Sequence, residues 1–336
     1  MRHPPPGILS PRRGRLALAG LLAMTLAAIP ATARTPLVFA AFAEDDEQLR
    51  HVLVLTESVR TFAGADRDAP IWVYVPPELA SSRPDLVRDL DDLGARVHPS
   101  TAPPAALVYP LAAKVFAAAR AESAAAGRVE ILAWLDEDTV VLQEPREFHL
   151  PRRVSLGYRP VMHNRSGTLY AGPVDEFWRR VYERLSVPES AIFPMVTPAD
   201  SQTIRAYFNA GLLVVRPERG TLRRWAAALP RLYRDTAIVR MCRQDRVRAL
   251  FLHQAALVGA VLGRLERAGL RELSPRYNVP LFFRELYGAR REFDSVASVV
   301  TLRYDVYFRD PAPDWRERLK GPPETVTWLA ARLGRR

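Results

Sequence analysis

Apolar runs alternate with amphipathic helical patterns through the first 142 residues of the chain. The runs that predict strands are 37–42, 71–75, 95–98 and 129–135, and the helical patterns between them cover 45–62, 85–93 and 107–126. The last run is apolar on both faces after Glu130, which is typical of a strand in the middle of a parallel sheet. The alternation predicts an α/β fold with an open, mostly parallel sheet and helices on both faces. In such sheets, ligands bind beyond the carboxyl ends of the strands.

The second half of the sequence is less regular. Strands are predicted near 153–159, 207–215 and 299–304, and helices near 175–184, 222–234 and 245–264. The sequence shows no internal repeat and no convincing linker after residue 34, so we expect a single domain from 34 to 336.

Composition excludes several classes of protein. The chain has 336 residues, of which 48% are hydrophobic and 25% charged, and this is a globular composition. The net charge of +11 comes almost entirely from arginine, because Lys114 and Lys320 are the only lysines. The arginines alternate with acids and form no stripe, so we expect no nucleic-acid partner. A single cysteine, Cys242, excludes an internal disulfide and a cysteine zinc cluster.

The first 33 residues have the pattern of a secretory signal peptide. Four arginines and no acid precede an apolar run at 16–30, which ends in Ala31-Thr32-Ala33. The run is shorter than the ~20 residues that a membrane-spanning helix needs. We therefore expect cleavage after Ala33, no stable membrane span, and a periplasmic or secreted protein. If Met24 is the true start, the protein is instead cytoplasmic.

An acidic triplet follows the predicted central strand. Asp136, Glu137 and Asp138 lie between the apolar runs 129–135 and 139–142. In an extended turn Asp136 and Asp138 point the same way, so two short carboxylates can face one hard divalent cation. An Mg²⁺ or Mn²⁺ ion held there would bridge phosphate oxygens of a ligand. The alternative is a solvated acidic turn.

A second motif, Asn209-Ala210-Gly211, begins the predicted strand 207–215. Small residues at the start of a strand allow a ligand to approach the backbone closely. The alternative is a plain turn or a bulge at the entrance to the strand.

The order of these motifs resembles the glycogenin-like retaining glycosyltransferases. The resemblance extends over roughly residues 36–305 and is carried by Lys114 on a helix, Leu-Asp-x-Asp at 135–138, Asn-Ala-Gly at 209–211, His-Gln at 253–254 and Tyr-Asn at 277–278. It implies the A-type glycosyltransferase fold and transfer of a hexose from a nucleotide-diphosphate donor to a glycan or other acceptor. It also implies a nucleotide-binding half, 34–142, and an acceptor half, 143–336.

The resemblance implies roles for individual residues. It assigns the metal, Mn²⁺ or Mg²⁺, to Asp136 and Asp138. Residues that would bind the donor are Asp136, Lys114, Asn209, Ala210 and Gly211. Gln254 matches a glutamine that lies near the transferred sugar in the family, so Gln254 and its neighbour His253 are the catalytic candidates.

Two positions depart from the family pattern. His253 stands where the family has an aspartate, and an imidazole cannot supply the same fixed negative charge. The C-terminal metal histidine of the family has no counterpart in the segment 301–305. Asp305 could replace it as an oxygen ligand, and Arg303 could offset diphosphate charge without a metal.

The predicted export conflicts with the predicted donor, because nucleotide sugars are made in the cytoplasm and an exported enzyme would not meet them. Either the chain starts at Met24, or it uses a lipid-linked sugar donor outside the cytoplasm. As a third possibility, it is an exported carbohydrate- or phosphate-binding protein that keeps the fold without transfer activity. The changes at His253 and Arg303 favour this third reading.

Overall fold

A computed structural model of the chain describes residues 1, 3, 35–281, 295–304 and 320–333. The predicted signal peptide and its cleavage site lie outside the described residues. Within them, the strands are β1 Thr35–Phe42, β2 Ile71–Val75, β3 Ala95–Pro99, β4 Val129–Leu135, β5 Thr139–Val141, β6 Leu156–Pro160, β7 Pro194–Val196, β8 Thr203–Arg205, β9 Phe208–Val215, β10 Leu270–Glu272, β11 Val279–Pro280 and β12 Thr301–Arg303. The helices are α1 Asp46–Phe62, α2 Pro77–Ser82, α3 Pro84–Asp92, α4 Ala112–Ala125, α5 Glu176–Leu185, α6 Thr221–Tyr233, α7 Thr236–Gln244, α8 Arg246–Leu250, α9 Leu252–Leu262 and α10 Pro323–Leu333.

The main sheet contains seven of the described strands in the order β10-β6-β9-β4-β1-β2-β3. Strand β1 is parallel to β2 and β4, and β2 is parallel to β3, whereas β9 runs antiparallel between β4 and β6. The prediction of a mostly parallel sheet is confirmed, with β9 as the exception. Because β9 is antiparallel, its first residues lie beside the carboxyl end of β4, where Leu135 pairs with Leu212.

Both faces of this sheet are covered by helices, as the sequence predicted. Alternate residues of β4 point to opposite faces, so Ile131 packs with α1 and α3 while Trp134 packs with α4, α6 and α9. This is why the strand is apolar on both faces. Residues 34–336 belong to one compact unit, whereas the division into two halves at residue 142 stays a prediction.

A smaller sheet holds the segment that follows the acidic triplet. Its order is β11-β12-β5, and β12 pairs antiparallel with β5 so that Arg303 lies opposite Thr139. Helix α10 packs against this sheet through Leu329 and Leu333. The pairing brings the late part of the chain next to residues 136–138.

Several element boundaries differ from the sequence prediction. The helix expected at 107–126 begins only at Ala112, because Pro110 disfavours helical backbone at the residue before it. The helix expected at 245–264 is divided into α8 and α9 at Phe251. Helices α2, α7 and α10 were not predicted. No helix within the described ranges is both long enough and apolar enough to cross a bilayer.

Helix α9 is buried along its whole length and contacts α5 at Gly259. A Cβ atom at Gly259 would lie 2.2 Å from Leu185 Cδ1 and 2.5 Å from Leu185 Cβ. We therefore expect Gly259→Ala to lower the free energy of unfolding by about 1–3 kcal/mol, measured by denaturant unfolding. Gly269→Ala is the control, since its nearest neighbour would be Ser155 Oγ at 3.5 Å. Equal stabilities of the two variants would contradict the packing argument.

Candidate functional site

Four elements meet at the carboxyl end of β4. The backbone N–H of Asp136 donates to the carbonyl of Gly211 at 2.8 Å, which continues the pairing of β4 with β9 past the end of β4. On the other side, the N–H of Tyr304 donates to the carbonyl of Asp138 at 3.2 Å. The acidic triplet is therefore held from both sides by backbone hydrogen bonds, one from β9 and one from the residue after β12.

Lys114 lies in the first turn of α4 and reaches the same place. Its Nζ donates to Asp136 Oδ1 at 2.8 Å, and each of the two side chains is only 8% exposed. The lysine is thus buried with its charge paired. A buried charge of this kind requires a partner of opposite sign.

Arg303, the last residue of β12, joins the two aspartates of the triplet. Its Nε donates to Asp138 Oδ1 at 2.7 Å, and its Nη2 lies 3.1 Å from Asp136 Oδ2. One guanidinium therefore spans both carboxylates, and Asp136 and Asp138 face the same cation. The solvated-turn alternative for the triplet does not describe these two side chains, which are both buried.

The charges of this cluster shift the pKa values of its members. Burial alone would raise the pKa of Asp136, but Lys114 and then Arg303 outweigh it and hold that pKa below its ordinary value. Burial would lower the pKa of Arg303, but Asp138 and Asp136 raise it above its ordinary value. Burial, with Asp136 and Asp138 nearby, raises the pKa of Glu137 to about 8. At neutral pH Glu137 is therefore mostly protonated, and two carboxylates face two cations.

The predicted metal ion can be tested against this donor set. Both oxygens of Asp136 and one oxygen of Asp138 already accept from, or pair with, Lys114 and Arg303. No three or more His, Cys, Asp or Glu side chains of the described residues are placed to hold a metal together. Asp305 lies outside those residues, so its ligand role stays a prediction. The side chains in place do not fit Mn²⁺ or Mg²⁺, because Lys114 and Arg303 already engage oxygens of both aspartates.

The Asn-Ala-Gly motif forms the start of β9 and lies against the charged cluster. Asn209 Oδ1 accepts from the N–H of Gly211 at 2.8 Å. A Cβ atom at Gly211 would lie 2.7 Å from Arg303 Nη1 and 2.8 Å from Asp136 Oδ2. Only glycine allows the guanidinium and the carboxylate to approach the strand this closely. The motif is part of strand β9, so the plain turn is excluded. The bulge considered as the other alternative agrees with the register shift between the pairs Pro160–Phe208 and Tyr158–Leu213 of β6 and β9.

Gln254 and His253 lie in the first turn of α9. Gln254 Oε1 accepts from the N–H of Ala210 at 3.0 Å, so this side chain positions β9. His253 is buried, its Nδ1–H donates to the carbonyl of Leu250 at 2.9 Å, and its own carbonyl accepts from Trp225 Nε1 at 2.6 Å. No pattern in the sequence indicated Trp225. The predicted catalytic roles of His253 and Gln254 stay predictions.

We expect His253 to make the protein less stable as pH falls. Burial, and then Lys114, lowers its pKa to about 3, although Asp136 acts in the opposite direction. Between pH 6.5 and about 3 the unfolded chain binds a proton that the native state does not. Stability is therefore full above pH 6.5 and falls by about 1 kcal/mol per pH unit below it. Denaturant unfolding between pH 7 and 4.5 measures this slope. It should be shallower in His253→Gln, and an unchanged slope would contradict the assignment.

Comparisons with known proteins concern the family and the fold of the chain. The sequence model of the Rhodobacterales glycosyltransferase domain matches residues 40–263. An active-site mutant of LgtC matches the structure with a TM-score of 0.50 at 16% identity, over 88% of this chain and 96% of that chain. The galactosyltransferase LgtC with donor and acceptor sugar analogues gives 0.49 at 16% identity, over 88% and 94%. Mouse xyloside xylosyltransferase 1 gives 0.43 at 15% identity, over 81% and 97%. No protein of curated function matches the sequence.

At this level of identity the LgtC mutant shows a likeness of fold alone. The likeness extends over 88% of the chain. The predicted A-type glycosyltransferase fold is confirmed.

Proposed function

The chain belongs to the Rhodobacterales glycosyltransferase domain family and is a glycosyltransferase, and on this premise we propose that its donor is a nucleoside-diphosphate sugar bound at Lys114 and Arg303. The observation that carries the proposal is the meeting of these two cations at the carboxyl end of β4. Ligands of α/β sheets bind at such strand ends. Two neighbouring cations favour a ligand with two or three negative charges, and a diphosphate is such a ligand.

In this proposal, the site stabilises the diphosphate that leaves during sugar transfer. Negative charge develops on the diphosphate as the bond to the sugar breaks, and fixed cations in a buried site stabilise that charge without reorganisation. Arg303 offers a planar fork of N–H donors that suits phosphate oxygens, and Lys114 offers a point charge. No step of this proposal passes through the predicted Mn²⁺ or Mg²⁺ ion, because the oxygens of Asp136 and Asp138 are engaged by these cations.

The wall of the proposed sugar pocket is the start of β9. Gly211 leaves room beside Arg303, and Gln254 holds the backbone of Ala210 in place. His253 is neutral in the native state, so it does not replace the fixed charge of the aspartate that the family has at this position. We therefore assign Gln254 to positioning the pocket and leave the transferred sugar and the acceptor open to experiment.

Thermal unfolding of the full chain with a panel of nucleoside-diphosphate sugars tests the donor class. A donor at about 100 times its dissociation constant should stabilise the protein by about 2.7 kcal/mol, which raises the melting temperature by several degrees. Lys114→Gln should lose most of this rise, because it lacks the buried cation. Lys320→Gln removes the only other lysine of the chain, which is exposed, and this variant should keep the rise in melting temperature. No rise with any nucleoside-diphosphate sugar would exclude this class of donor, and equal rises in the two variants would exclude Lys114 from the donor site.

Location decides between two sources of the diphosphate donor. The predicted signal peptide places the mature N-terminus at Arg34 outside the cytoplasm, where a polyprenyl-diphosphate sugar would supply the same diphosphate group. N-terminal sequencing of the protein from a periplasmic fraction tests this: a chain that begins at Arg34 supports export and the lipid-linked donor. A cytoplasmic chain that retains its N-terminal segment, or begins at Met24, supports a soluble nucleotide sugar.

A further inference from the structure

We infer that Arg303 is the resident cation of the diphosphate site and that donor binding in this protein requires no divalent metal ion. The inference rests on the proposed function, because it takes the donor to be a diphosphate. It goes beyond that function by assigning to one side chain the position between Asp136 and Asp138 that the sequence had predicted for Mn²⁺ or Mg²⁺.

The backbone fixes Arg303 beside the triplet. Strand β12 pairs with β5 in a register that places Arg303 opposite Thr139, one residue after Asp138. The N–H of the next residue, Tyr304, bonds the carbonyl of Asp138. The backbone of Arg303 is therefore held beside the triplet by a paired strand. Although Arg303 and Asp138 are 165 residues apart in sequence, the sheet makes them neighbours.

The contacts of Arg303 and Lys114 engage three of the four carboxylate oxygens of Asp136 and Asp138. Its Nε and Nη2 lie 2.7 Å from Asp138 Oδ1 and 3.1 Å from Asp136 Oδ2, and Lys114 takes Asp136 Oδ1 at 2.8 Å. An Mg²⁺ ion requires oxygen ligands at about 2.0–2.1 Å in near-octahedral geometry. It would also enter a cluster in which two carboxylates are already matched by two cations. Because the carboxylate charges are already balanced, the cluster offers a divalent ion no net attraction.

The guanidinium of Arg303 also lies beside the start of β9. The side chain of Arg303 is 22% exposed, so a ligand can reach it. Its Nη1 lies close to Gly211, where a Cβ atom would come within 2.7 Å. Within the part of the chain that the structure describes, both carboxylate contacts of Arg303 use Nε or Nη2. The Nη1 edge is thus left to donate to phosphate oxygens beside the small residues of β9.

The first test compares wild-type full chain with and without metal. Isothermal titration with a panel of nucleoside diphosphates and their sugars is carried out in EDTA and again in Mn²⁺. We expect the dissociation constant of the bound nucleotide to agree within about 2-fold between the two conditions. We also expect no binding of Mn²⁺ alone. A nucleotide that binds only with Mn²⁺, or more than about 10-fold more tightly with it, would overturn the inference.

The second test uses variants of Arg303. In EDTA, Arg303→Gln should weaken nucleotide binding by about 10- to 100-fold, and Arg303→Lys by less, because lysine keeps the charge without the fork. Arg303→Gln also leaves Asp138 without this cation, so Mn²⁺ should bind to this variant and restore part of its nucleotide affinity. Arg179→Gln, an exposed arginine of α5 paired with Glu183, is the control and should match wild type. Wild-type nucleotide affinity in Arg303→Gln would overturn the inference.

Failure of the inference and failure of the proposed function give different results. Strong binding that depends on Mn²⁺ removes the role of Arg303 but keeps the diphosphate donor. Absence of binding by every nucleoside diphosphate and nucleotide sugar, in EDTA and in Mn²⁺, overturns both. Circular dichroism and melting temperatures of the variants show which of them fold, and the wild-type comparison depends on no variant.

Discussion

Asp136→Asn is expected to lower the free energy of unfolding by about 3–5 kcal/mol and to abolish sugar transfer. Asp136 pairs with Lys114 on one oxygen and with Arg303 on the other. Removing its charge leaves the ammonium of Lys114 buried without its ion pair, and an uncompensated buried charge of this kind typically costs this amount. Denaturant unfolding measures the stability, and release of nucleoside diphosphate from the donor identified by thermal shift measures transfer.

Two further variants separate loss of the pair from general damage to the triplet. Glu137→Gln changes the neighbouring acid, whose pKa is raised to about 8, and should alter stability little at pH 7. The double variant Asp136→Asn/Lys114→Met removes both charges and should regain part of the lost stability, because no lone ammonium is left. If the double variant is as unstable as the sum of the two single variants, the two residues are not coupled and the argument fails.

Trp225→Ala is expected to lower the free energy of unfolding by a similar amount, about 3–5 kcal/mol. Trp225 is fully buried on α6, a helix that packs against both α4 and α9. Its Nε1 donates to the carbonyl of His253 at 2.6 Å. The residue therefore supports the helices that carry Lys114 and Gln254. Donor affinity should fall together with stability, which thermal unfolding with and without donor can measure.

Trp225→Phe is the matched control for this prediction. Phenylalanine keeps most of the buried apolar volume but lacks the N–H group, so the carbonyl of His253 loses this donor. We expect a loss of about 1–3 kcal/mol, smaller than in the alanine variant. Equal losses in the two variants would mean that the hydrogen bond, and not the packing of α6, dominates.

Membership of a glycosyltransferase family argues against the alternative of a carbohydrate- or phosphate-binding protein without transfer activity. The sequence favoured that alternative because His253 and Arg303 depart from the family pattern. In the structure, Arg303 joins Asp136 and Asp138, and His253 is buried next to Gln254, which holds the start of β9. Both positions therefore belong to an ordered site. Release of nucleoside diphosphate from a bound donor remains the measurement that separates transfer from binding alone.

Local sequence patterns determined much of the first half of this protein. The period of apolar residues predicted β1 to β4 with most of their helices, and the start of α1 follows from Asp45, whose side chain accepts from the N–H of Gln48. The acidic triplet was placed correctly after the central strand, because the change from an apolar run to three carboxylates marks the end of that strand. The start of α4 was predicted too early, since the apolar pattern continues upstream through a segment that Pro110 removes from the helix.

Only the tertiary structure decided how the site is assembled. That β9 runs antiparallel beside β4 brings Gly211 to Asp136, and the pairing of β12 with β5 brings Arg303 to Asp138. Lys114 becomes buried because the first turn of α4 lies over the end of β4, where the lysine meets Asp136. Hydrophobic periodicity reports which face of an element is buried, but the order and direction of strands depend on pairing between distant segments. The sequence by itself therefore determined the elements and the candidate residues, and the long-range pairing of strands determined which charges meet.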